Sequence, residues 1–428
     1  MAALSEDVMT ARRTLVKLMA VRKCNSETAP KELVELFLSS GLELKHMDLI
    51  VDILGSPIPT QMHWSMFLRT IQTLASDAQK ARWLPLCMSG EMIGCYAQTE
   101  LGWGSDVSSI ETTAWNNDAV WTLHTPTLRS LKAWPGGLGS TATHALVVAN
   151  CPEGQEGQEG PEGPEGPEGR NLRMFVVDLA NAGVRRGSMG PLLGFQNADN
   201  GWLHLDHVIA EALPLHSKRK TYSTMVHTRG RIIRASFFSL AKAITIAHSF
   251  ACVREQPRGR LIITHEHVRR TLLKWVEFAE LLGGFDAAAG AAGLTSTADL
   301  ALKAYVTDEV AVGIEACRRI CGGFGYAEFS GFPRILTNHL ATVTYEGSNE
   351  MLYARSMERS GLSLEETKAK QRALLYERSL TQLRMAPLMA RVAAFEISKY
   401  ECNSALMAST SRELYTQLWE TLGVLSAM

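Results

Sequence analysis

The chain changes character at Cys95–Asp106, which reads Cys-Tyr-Ala-Gln-Thr-Glu-Leu-Gly-Trp-Gly-Ser-Asp. Its two glycines let the backbone approach a flat polar ligand closely, because no side chain stands in the way. A Gly-x-Gly turn alone is more often just a turn, and the Gly-x-Gly-x-x-Gly pattern of a dinucleotide site is incomplete here. The stretch is therefore a candidate binding loop whose ligand its own residues do not identify.

The regions on either side of this stretch differ in hydrophobic period. Residues 1–90 carry apolar side chains at helical spacing, interrupted by the two prolines of Gly55–Pro59, so we expect an N-terminal helical domain. Residues 91–212 contain short alternating or apolar runs between turn formers, Trp202–Val208 among them, which predicts a β domain. Residues 213–428 return to helical periodicity and predict a C-terminal helical domain. The expected fold class is α+β and multidomain.

A low-complexity segment lies inside the β region, at residues 153–169, and consists of Gln-Glu-Gly and Pro-Glu-Gly repeats. Glycine at every third position is typical of collagen, but one short acidic run flanked by strands cannot build a triple helix. We expect a flexible, solvated loop between two strands that carries no chemistry.

Composition excludes several classes of protein. Lysine and arginine number 43 and aspartate and glutamate 44 in 428 residues, so the basic excess of a dedicated nucleic-acid binder is missing. The most apolar stretch, Ile232–Val253, contains Arg234, Lys242 and His248, so no transmembrane segment is expected. The eight cysteines are scattered without a Cys-x-x-Cys pair, and we predict no disulfide framework and no metal site. A reducing intracellular compartment is the expectation.

Two further motifs are candidates for binding or catalysis. Lys132–Gly139 places Trp134 beside a glycine-rich turn, which suits either a stacking surface or a tight hairpin with the tryptophan in the core. Cys321–Tyr326 is a glycine cluster that follows a helix ending near Ile320, and its simplest interpretation is a helix cap.

A carboxylate follows about twenty residues after the glycine cluster, in Thr344–Asn349. Glu346 stands there after an apolar-leaning run, where burial would raise its pKa as a general base requires. An ordinary exposed glutamate before a helix is the alternative interpretation.

Taken together and in this order, Tyr-Ala-Gln-Thr-Glu-Leu-Gly, Trp-Pro-Gly-Gly-Leu-Gly, Cys-Gly-Gly-x-Gly-Tyr and Tyr-Glu-Gly closely resemble the acyl-CoA oxidase family, a branch of the acyl-CoA dehydrogenase superfamily. The resemblance covers about residues 60–356. It implies an N-terminal helical domain, a central β-barrel-like domain and a C-terminal helical bundle, with the second helical domain of the oxidases largely absent.

The resemblance also implies a cofactor and a set of contacts. FAD would be the cofactor, with Thr99 bonded to the flavin ring, Gln98 beside it and Gly136 in contact through its backbone. Gly322 and Gly323 match the stretch that reaches the cofactor of a neighbouring subunit, which implies a homodimer.

Glu346 matches the catalytic base of the family. It would remove the proton alpha to the thioester carbonyl of a fatty acyl-CoA while a beta hydride leaves to FAD. The products would be trans-2-enoyl-CoA and, after reoxidation by molecular oxygen, hydrogen peroxide. Members of this family are peroxisomal, which we take as the expected location, although Ser426-Ala427-Met428 keeps only the small first residue of a targeting tripeptide.

Two departures from the family pattern motivate alternative functions. Gly104-Ser105-Asp106 resembles the dehydrogenase branch and favours an enzyme coupled to an electron-transfer flavoprotein (ETF). The short span between Arg254 and Cys321 favours a non-catalytic binding or interaction protein on the same scaffold.

Overall fold

The computed structural model describes residues 6–24, 28–43, 46–106, 109–117, 120–152, 171–215, 218–283 and 298–382. The chain divides into two units. One is Thr10–Thr228, and the other is Arg229–Met428 together with Met1–Met9. Each unit has its own cluster of buried apolar side chains.

The first unit begins with short helices whose ends the sequence marks clearly. Helix α3 ends where Gly55 adopts a left-handed φ of 65°, just before the two prolines that cannot continue a helix. Helix α5 begins with a capping box in which Ser76 and Gln79 each accept the backbone N–H of the other, at 3.2 and 3.0 Å. The helices are α1 (Glu6–Arg22), α2 (Pro30–Ser39), α3 (Leu49–Leu54), α4 (Leu68–Leu74) and α5 (Asp77–Ser89).

A π-helical turn, His63–Phe67, precedes α4 and meets the start of the first strand. The His63 ring is buried and accepts the Gly94 N–H at Nδ1 (3.0 Å), so its Nε2 carries the hydrogen and donates to the Cys87 carbonyl (3.2 Å). Burial lowers the pKa of His63 to about 4, which keeps the ring neutral. A Cβ at Gly94 would lie 2.1 Å from the Phe67 ring, so only glycine allows this approach.

The strands that follow form a closed barrel. Five of them pair in the cyclic order β5-β2-β3-β9-β6 and back to β5, while β1 pairs with β5 in parallel. Closing the sheet leaves no free edge among these five strands. The strands of the unit are β1 (Gly94–Ala97), β2 (Thr113–Asn117), β3 (Val120–His124), β4 (Lys132–Ala133), β5 (His144–Cys151), β6 (Asn171–Asp178), β7 (Val184–Ser188), β8 (Gly201–Leu205) and β9 (Val208–Ala212).

Alternating side chains of these strands fill the barrel. Strand β5 contributes Ala145, Val147 and Ala149, and β6 contributes Phe175 and Val177, all fully buried. The two strands pair antiparallel until Cys151 lies opposite Asn171. The repeat segment 153–169 therefore joins two paired strands, and the segment itself lies outside the described residues.

The prediction of a single strand over Trp202–Val208 is wrong. Strand β8 ends at Leu205 and belongs to a small sheet in the order β4-β8-β7, whereas β9 starts at Val208 in the barrel. Asp206 and His207 turn the chain between them, with His207 at a φ of 52°. The alternation of apolar residues runs through this turn, and no glycine or proline marks it.

A buried ion pair crosses the β region at the end of β1. The Lys132 ammonium, fully buried, donates to the Glu100 carboxylate (3.0 Å) and to the carbonyls of Gln98 (3.1 Å) and Val148 (2.6 Å). Glu100 in turn accepts from the backbone N–H groups of Glu111 and Thr112, at 2.8 and 2.9 Å. Loss of hydration lowers the pKa of Lys132 to about 8, and Glu100 counteracts this shift.

The second unit is built around one long helix, α8, which contacts α7, α9, α10 and α11. Gly313 of α8 allows close packing, because a Cβ there would lie 2.8 Å from both Leu240 and the buried ring of Trp275. The helices are α6 (Lys218–Val253), α7 (Glu266–Gly283), α8 (Ala298–Ile320), α9 (Phe332–Leu340), α10 (Asn349–Ser360) and α11 (Leu364–Gln382).

Other details of this unit bear on expectations from the sequence. Cys317 and Cys321 are buried, and burial raises the pKa of both thiols to about 12, as for inert core residues. Within the described residues, one helical stretch, Thr228–Val253, is long and apolar enough to cross a membrane. That is weak support for a span, because the core helix of a protein without one passes the same test.

We expect Lys132→Met to destabilise the first unit by about 3–5 kcal/mol, because it leaves the Glu100 charge buried without its counter-ion. Urea unfolding followed by tryptophan fluorescence measures the effect. Lys80→Met is the matched control, since Lys80 faces the exposed Asp77 at 3.8 Å and should change stability little. Adding Glu100→Gln to Lys132→Met should recover part of the loss. Equal midpoints for the two lysine variants would contradict a stabilising role for the buried pair.

Candidate functional site

The loop after β1 presents two polar side chains from a fixed backbone. Gln98 and Thr99 are half-buried, and their carbonyls are held by Lys132 Nζ (3.1 Å) and by the Ala133 N–H (3.0 Å). The amide of Gln98 and the hydroxyl of Thr99 have no recorded hydrogen bond to the residues that the structure describes. The sequence-predicted pair is thus positioned by its backbone with both side-chain groups available to a ligand.

The glycine turn predicted from Trp-Pro-Gly-Gly-Leu-Gly lies beside this loop, because it directly follows β4 and the Ala133 N–H of β4 bonds the Thr99 carbonyl. Its backbone is fixed by a second segment. The Gly137 N–H donates to the Ala198 carbonyl (2.8 Å), and the Gly139 N–H donates to the Asp199 carbonyl (3.1 Å). A Cβ at Gly136 would lie 3.2 Å from the Ala198 carbonyl oxygen, and one at Gly137 would lie 2.7 Å from the Pro59 carbonyl oxygen. Glycine is required here by close backbone approach.

Trp134 stands at the start of this turn and is not part of the core. Half of its surface is exposed, and its φ is 83°, a left-handed value that large side chains rarely adopt. Its N–H donates to the Gly201 carbonyl (2.9 Å), and its carbonyl accepts from Asn200 Nδ2. The interpretation of Lys132–Gly139 as a hairpin with a core tryptophan is therefore wrong. The strained backbone holds an aromatic face toward solvent.

Glu346 lies in the second unit, at a left-handed turn before α10. Its φ is 57° and that of Gly347 is 96°, so two successive residues leave the ordinary backbone regions. The residue as a whole is half-buried. The interpretation as an ordinary exposed glutamate does not account for this geometry, because a non-glycine residue at positive φ persists only where surrounding contacts hold it.

Two buried cations hold this turn. Arg229 Nε donates to the Glu346 carbonyl (3.0 Å), and Lys303 Nζ donates to the Gly347 carbonyl (3.0 Å). Loss of hydration raises the pKa of Glu346, as the sequence predicted, while Arg229 and Lys303 pull it down. A carboxyl whose pKa is raised by lost hydration, next to fixed positive charge, suits proton abstraction near neutral pH.

Gly322 and Gly323 lie at the other end of α8 from this turn. Lys303 is one turn into the helix and Ile320 is its last residue, so about 25 Å of helix separates the two places. Gly322 caps the helix with a φ of 56°, and neither glycine has an atom within 4 Å of where a Cβ would stand. The structure therefore does not bring these glycines near Glu346 within one chain.

Three groups that support these loops were not found from the sequence. They are Arg229 and Lys303, which are single basic residues inside helices, and Asp199, which accepts from the Ser140 and Thr141 N–H groups at 2.9 and 2.8 Å. Nothing local in the sequence marks them, because the backbone groups that they hold are 44 or more residues away. The buried Lys303 departs from the usual exposure of lysine, which only a structure shows.

One cluster of potential metal ligands occurs among the described residues. His124, Asp206 and His207 offer donor atoms within 4.8 Å of one another on an exposed surface. The two imidazole rings stack at 4.3 Å with planes only 26° apart, so their in-plane lone pairs do not converge on one ion at about 2 Å. We assign no metal to this cluster.

Residues 10–93 match the family model "Acyl-coenzyme A oxidase N-terminal", and residues 222–282 and 294–360 match "Acyl-CoA oxidase, C-alpha1 domain". The mouse peroxisomal acyl-coenzyme A oxidase 2 is 32% identical over 67% of this chain and 47% of its own length. The human peroxisomal acyl-coenzyme A oxidase 1 is 30% identical over 69% of this chain and 50% of its own.

Solved structures agree with these matches. A Caenorhabditis elegans acyl-CoA oxidase-2, bound with FAD, ascaroside-CoA and ATP, is 26% identical with a TM-score of 0.69, covering 84% of this chain and 64% of that one. A Geobacillus kaustophilus acyl-CoA dehydrogenase, 17% identical with a TM-score of 0.68 over 84% of this chain and 99% of that one, shares the fold. The chain spans about half the length of the curated relatives it matches. By its family models, relatives and fold, the chain belongs to the acyl-CoA oxidase family.

Proposed function

We propose that the chain oxidises fatty acyl-CoA to trans-2-enoyl-CoA with FAD as cofactor and molecular oxygen as acceptor, releasing hydrogen peroxide. The observation that carries this proposal is the Glu346 carboxyl, whose pKa burial raises, on a turn fixed by two buried cations. Its place in the acyl-CoA oxidase family supplies the substrate class and the reaction.

In this proposal Glu346 takes the alpha proton of the thioester. An alpha C–H is a weak acid, so the base must be held within reach of it before reaction. The left-handed backbone fixes the direction of the Glu346 side chain, and the N–H donors of Arg229 and Lys303 keep that backbone from relaxing. A pKa raised by lost hydration makes the carboxylate a stronger base than a solvated glutamate.

The residues of the first unit fit FAD. The fit rests on the side-chain polar groups of Gln98 and Thr99, which make no hydrogen bond to the described residues, and on a glycine turn at Gly136 that is fixed by close backbone contact beside the half-exposed Trp134. Gln98 and Thr99 would bond the edge of the flavin ring, and the backbone of Gly136 would contact it. When bound, FAD supplies a hydride acceptor, which no amino-acid side chain provides.

Glu346→Gln tests the base. It keeps the size of the side chain and removes its basicity, so anaerobic bleaching of bound FAD by fatty acyl-CoA should slow by about 10²- to 10⁴-fold, with FAD still bound. Stopped-flow absorbance with acyl chains of several lengths measures this. Glu358→Gln, exposed on the same helix α10, is the matched control and should bleach normally. Failure of every chain length to bleach the wild-type flavin would end the proposal.

A dehydrogenase coupled to ETF is the second candidate. Gly104-Ser105-Asp106 favours it, and in the structure Asp106 accepts from the Ser109 hydroxyl (2.5 Å) in a loop whose Gly104 has open space around it. Both enzymes bleach the flavin, so the electron acceptor distinguishes them.

We expect turnover in air with one hydrogen peroxide formed per oxygen consumed, because an oxidase passes its electrons directly to oxygen. An oxygen electrode with a peroxide assay measures both, with and without added ETF. The control is the same assay on Glu346→Gln. Turnover that requires ETF would reverse the choice, and a folded protein that binds neither FAD nor acyl-CoA would favour the non-catalytic alternative.

We infer a homodimer from the surface around Gly322 and Gly323. Three aromatic side chains are exposed there, Phe324 by 50%, Phe329 by 53% and Tyr326 by 80%. Phe324 and Phe329 contact each other edge to face, so they form a continuous apolar surface of the kind that subunit interfaces bury. If a second copy covers this surface, Gly322 and Gly323 of the first copy would lie against the cofactor of the second.

Sedimentation velocity should find the wild type dimeric and Phe324→Asp shifted to monomer, because a charge in an apolar interface costs its hydration. Leu364→Asp is the control, since Leu364 is an exposed apolar residue elsewhere on the unit and should leave the dimer intact. Circular dichroism checks that each variant is folded. A monomeric wild type at micromolar concentration is the result that contradicts this dimer.

A peroxisomal location belongs to the same proposal. It is supported by the names of the relatives, among them the mouse and human peroxisomal oxidases, and by a peroxide-forming reaction.

A further inference from the structure

The turn that carries Glu346 is held from behind by a lysine inside α8. Lys303 has no exposed surface, and its ammonium donates to the Gly347 carbonyl and to Asn349 Oδ1, both at 3.0 Å. One cation thus binds the residue after Glu346 and the first residue of α10. Among the described residues, no other side chain donates a hydrogen bond to the Gly347 carbonyl.

The lysine is itself fixed by the surrounding side chains. Asn349, buried, donates from Nδ2 to the Ala304 carbonyl (3.2 Å), Thr307 Oγ1 (2.9 Å) and Asp308 Oδ1 (2.7 Å). These partners all lie on α8, Ala304 directly after Lys303 and the other two about one turn later. The amide therefore cannot rotate without losing several bonds, and its Oδ1 stays directed at the ammonium.

The site is polar where a core would ordinarily be apolar. A lysine ammonium without hydration costs free energy that packing alone does not return. The two bonds that the ammonium makes, to the Gly347 carbonyl and to Asn349, are what compensate that cost.

We propose that Lys303 is a positioning residue for Glu346, holding the Glu346–Gly347 turn through the Gly347 carbonyl and lending its positive charge to the carboxylate. The consequence of this positioning for catalysis rests on the proposed function. The effect of Lys303 on the backbone and on the pKa of Glu346 does not depend on that function. It differs from the role of Arg229, which binds the Glu346 carbonyl on the other side of the turn.

The charge of Lys303 gives the proposal a direction in pH. Burial lowers the pKa of Lys303 to about 7, with Arg229 lowering it further and Glu346, Asp308 and Glu350 raising it. His339, buried against α8, is the other titratable neighbour; burial lowers its pKa to about 4, so it stays neutral above that pH. Below about pH 7 the Lys303 ammonium is charged and lowers the pKa of Glu346. Above about pH 7 the lysine loses its charge, and this lowering of the Glu346 pKa is lost.

Removing the charge therefore raises the pKa of Glu346. Lys303→Met loses both the charge and the donor, whereas Lys303→Gln keeps an N–H donor without the charge. We expect flavin reduction in Lys303→Met to slow by up to about 100-fold, since a base displaced by about 1 Å loses this much. The ratio of wild-type to variant rates should be larger at pH 6 than at pH 9, and Lys303→Gln should differ from wild type mainly at the lower pH.

The decisive measurement does not need the flavin. The carboxyl band of Glu346 is isolated in the apoprotein by infrared difference spectra against Glu346→Gln, in the wild-type and in the Lys303→Met background, across pH 4–9 (roughly the range in which raised carboxyl pKa values fall). The titration midpoint should lie higher in Lys303→Met. Lys274→Met, on the exposed surface of α7, is the matched control and should leave the midpoint unchanged.

The outcomes separate this proposal from the function on which it rests. A raised midpoint without any flavin reduction in the wild type would retain Lys303 as the positioning group and reject the oxidase. Equal midpoints in wild type and in both Lys303 variants, with unchanged reduction rates, would overturn the proposal. If Lys303→Met does not fold, Lys303→Gln decides by the same midpoint.

Discussion

A lysine ammonium sealed from water is the constraint on which the β region depends. Lys132 reaches from β4 to the loop after β1 and to β5, and its bonds to Glu100 and to the Val148 carbonyl are buried. Because an uncompensated ammonium in this place is costly, the three segments have to meet in one arrangement. The loop that carries Gln98 and Thr99 takes its shape from that requirement.

The second unit uses the same device at Glu346. A buried lysine on a long helix binds a carbonyl of a turn whose backbone is otherwise unfavourable, and a buried arginine binds the neighbouring carbonyl. In both units a helix or strand supplies a rigid base, and a cation transmits that rigidity to a loop. Loops positioned in this way hold a reacting group in place without the entropy loss that a mobile segment would suffer on binding.

Much of this was predictable because it depends on local pattern. Helical spacing located the helices around Trp275 and Ile314, and the alternation of β5 and β6 indicated strands. The α+β fold class of the oxidases is confirmed by the structural relatives. The prediction of one strand over Trp202–Val208 failed for a local reason as well, because the turn at Asp206–His207 contains no glycine or proline.

The candidate site was predictable only in part. Four motifs pointed to the loops, since glycines and a carboxylate at these spacings are read directly from the chain. The groups that hold those loops, Lys303 and Arg229 among them, act on residues 44 and 117 positions away, and a single sequence does not contain that pairing. The roles of Thr99, Gly136 and Glu346 stay predictions that the proposed experiments address.

The length of α8 has a genetic consequence. Glu346 is held near its first turn and the bare glycines follow its last, so in the proposed dimer a single copy would contribute its two ends to different active sites. Two alleles, one defective at Glu346 and the other at Gly322, would each be inactive alone. In a cell that carries both, a mixed dimer has one site with both defects and one with neither. The two alleles would therefore complement each other, although a protein made from either allele alone is inactive.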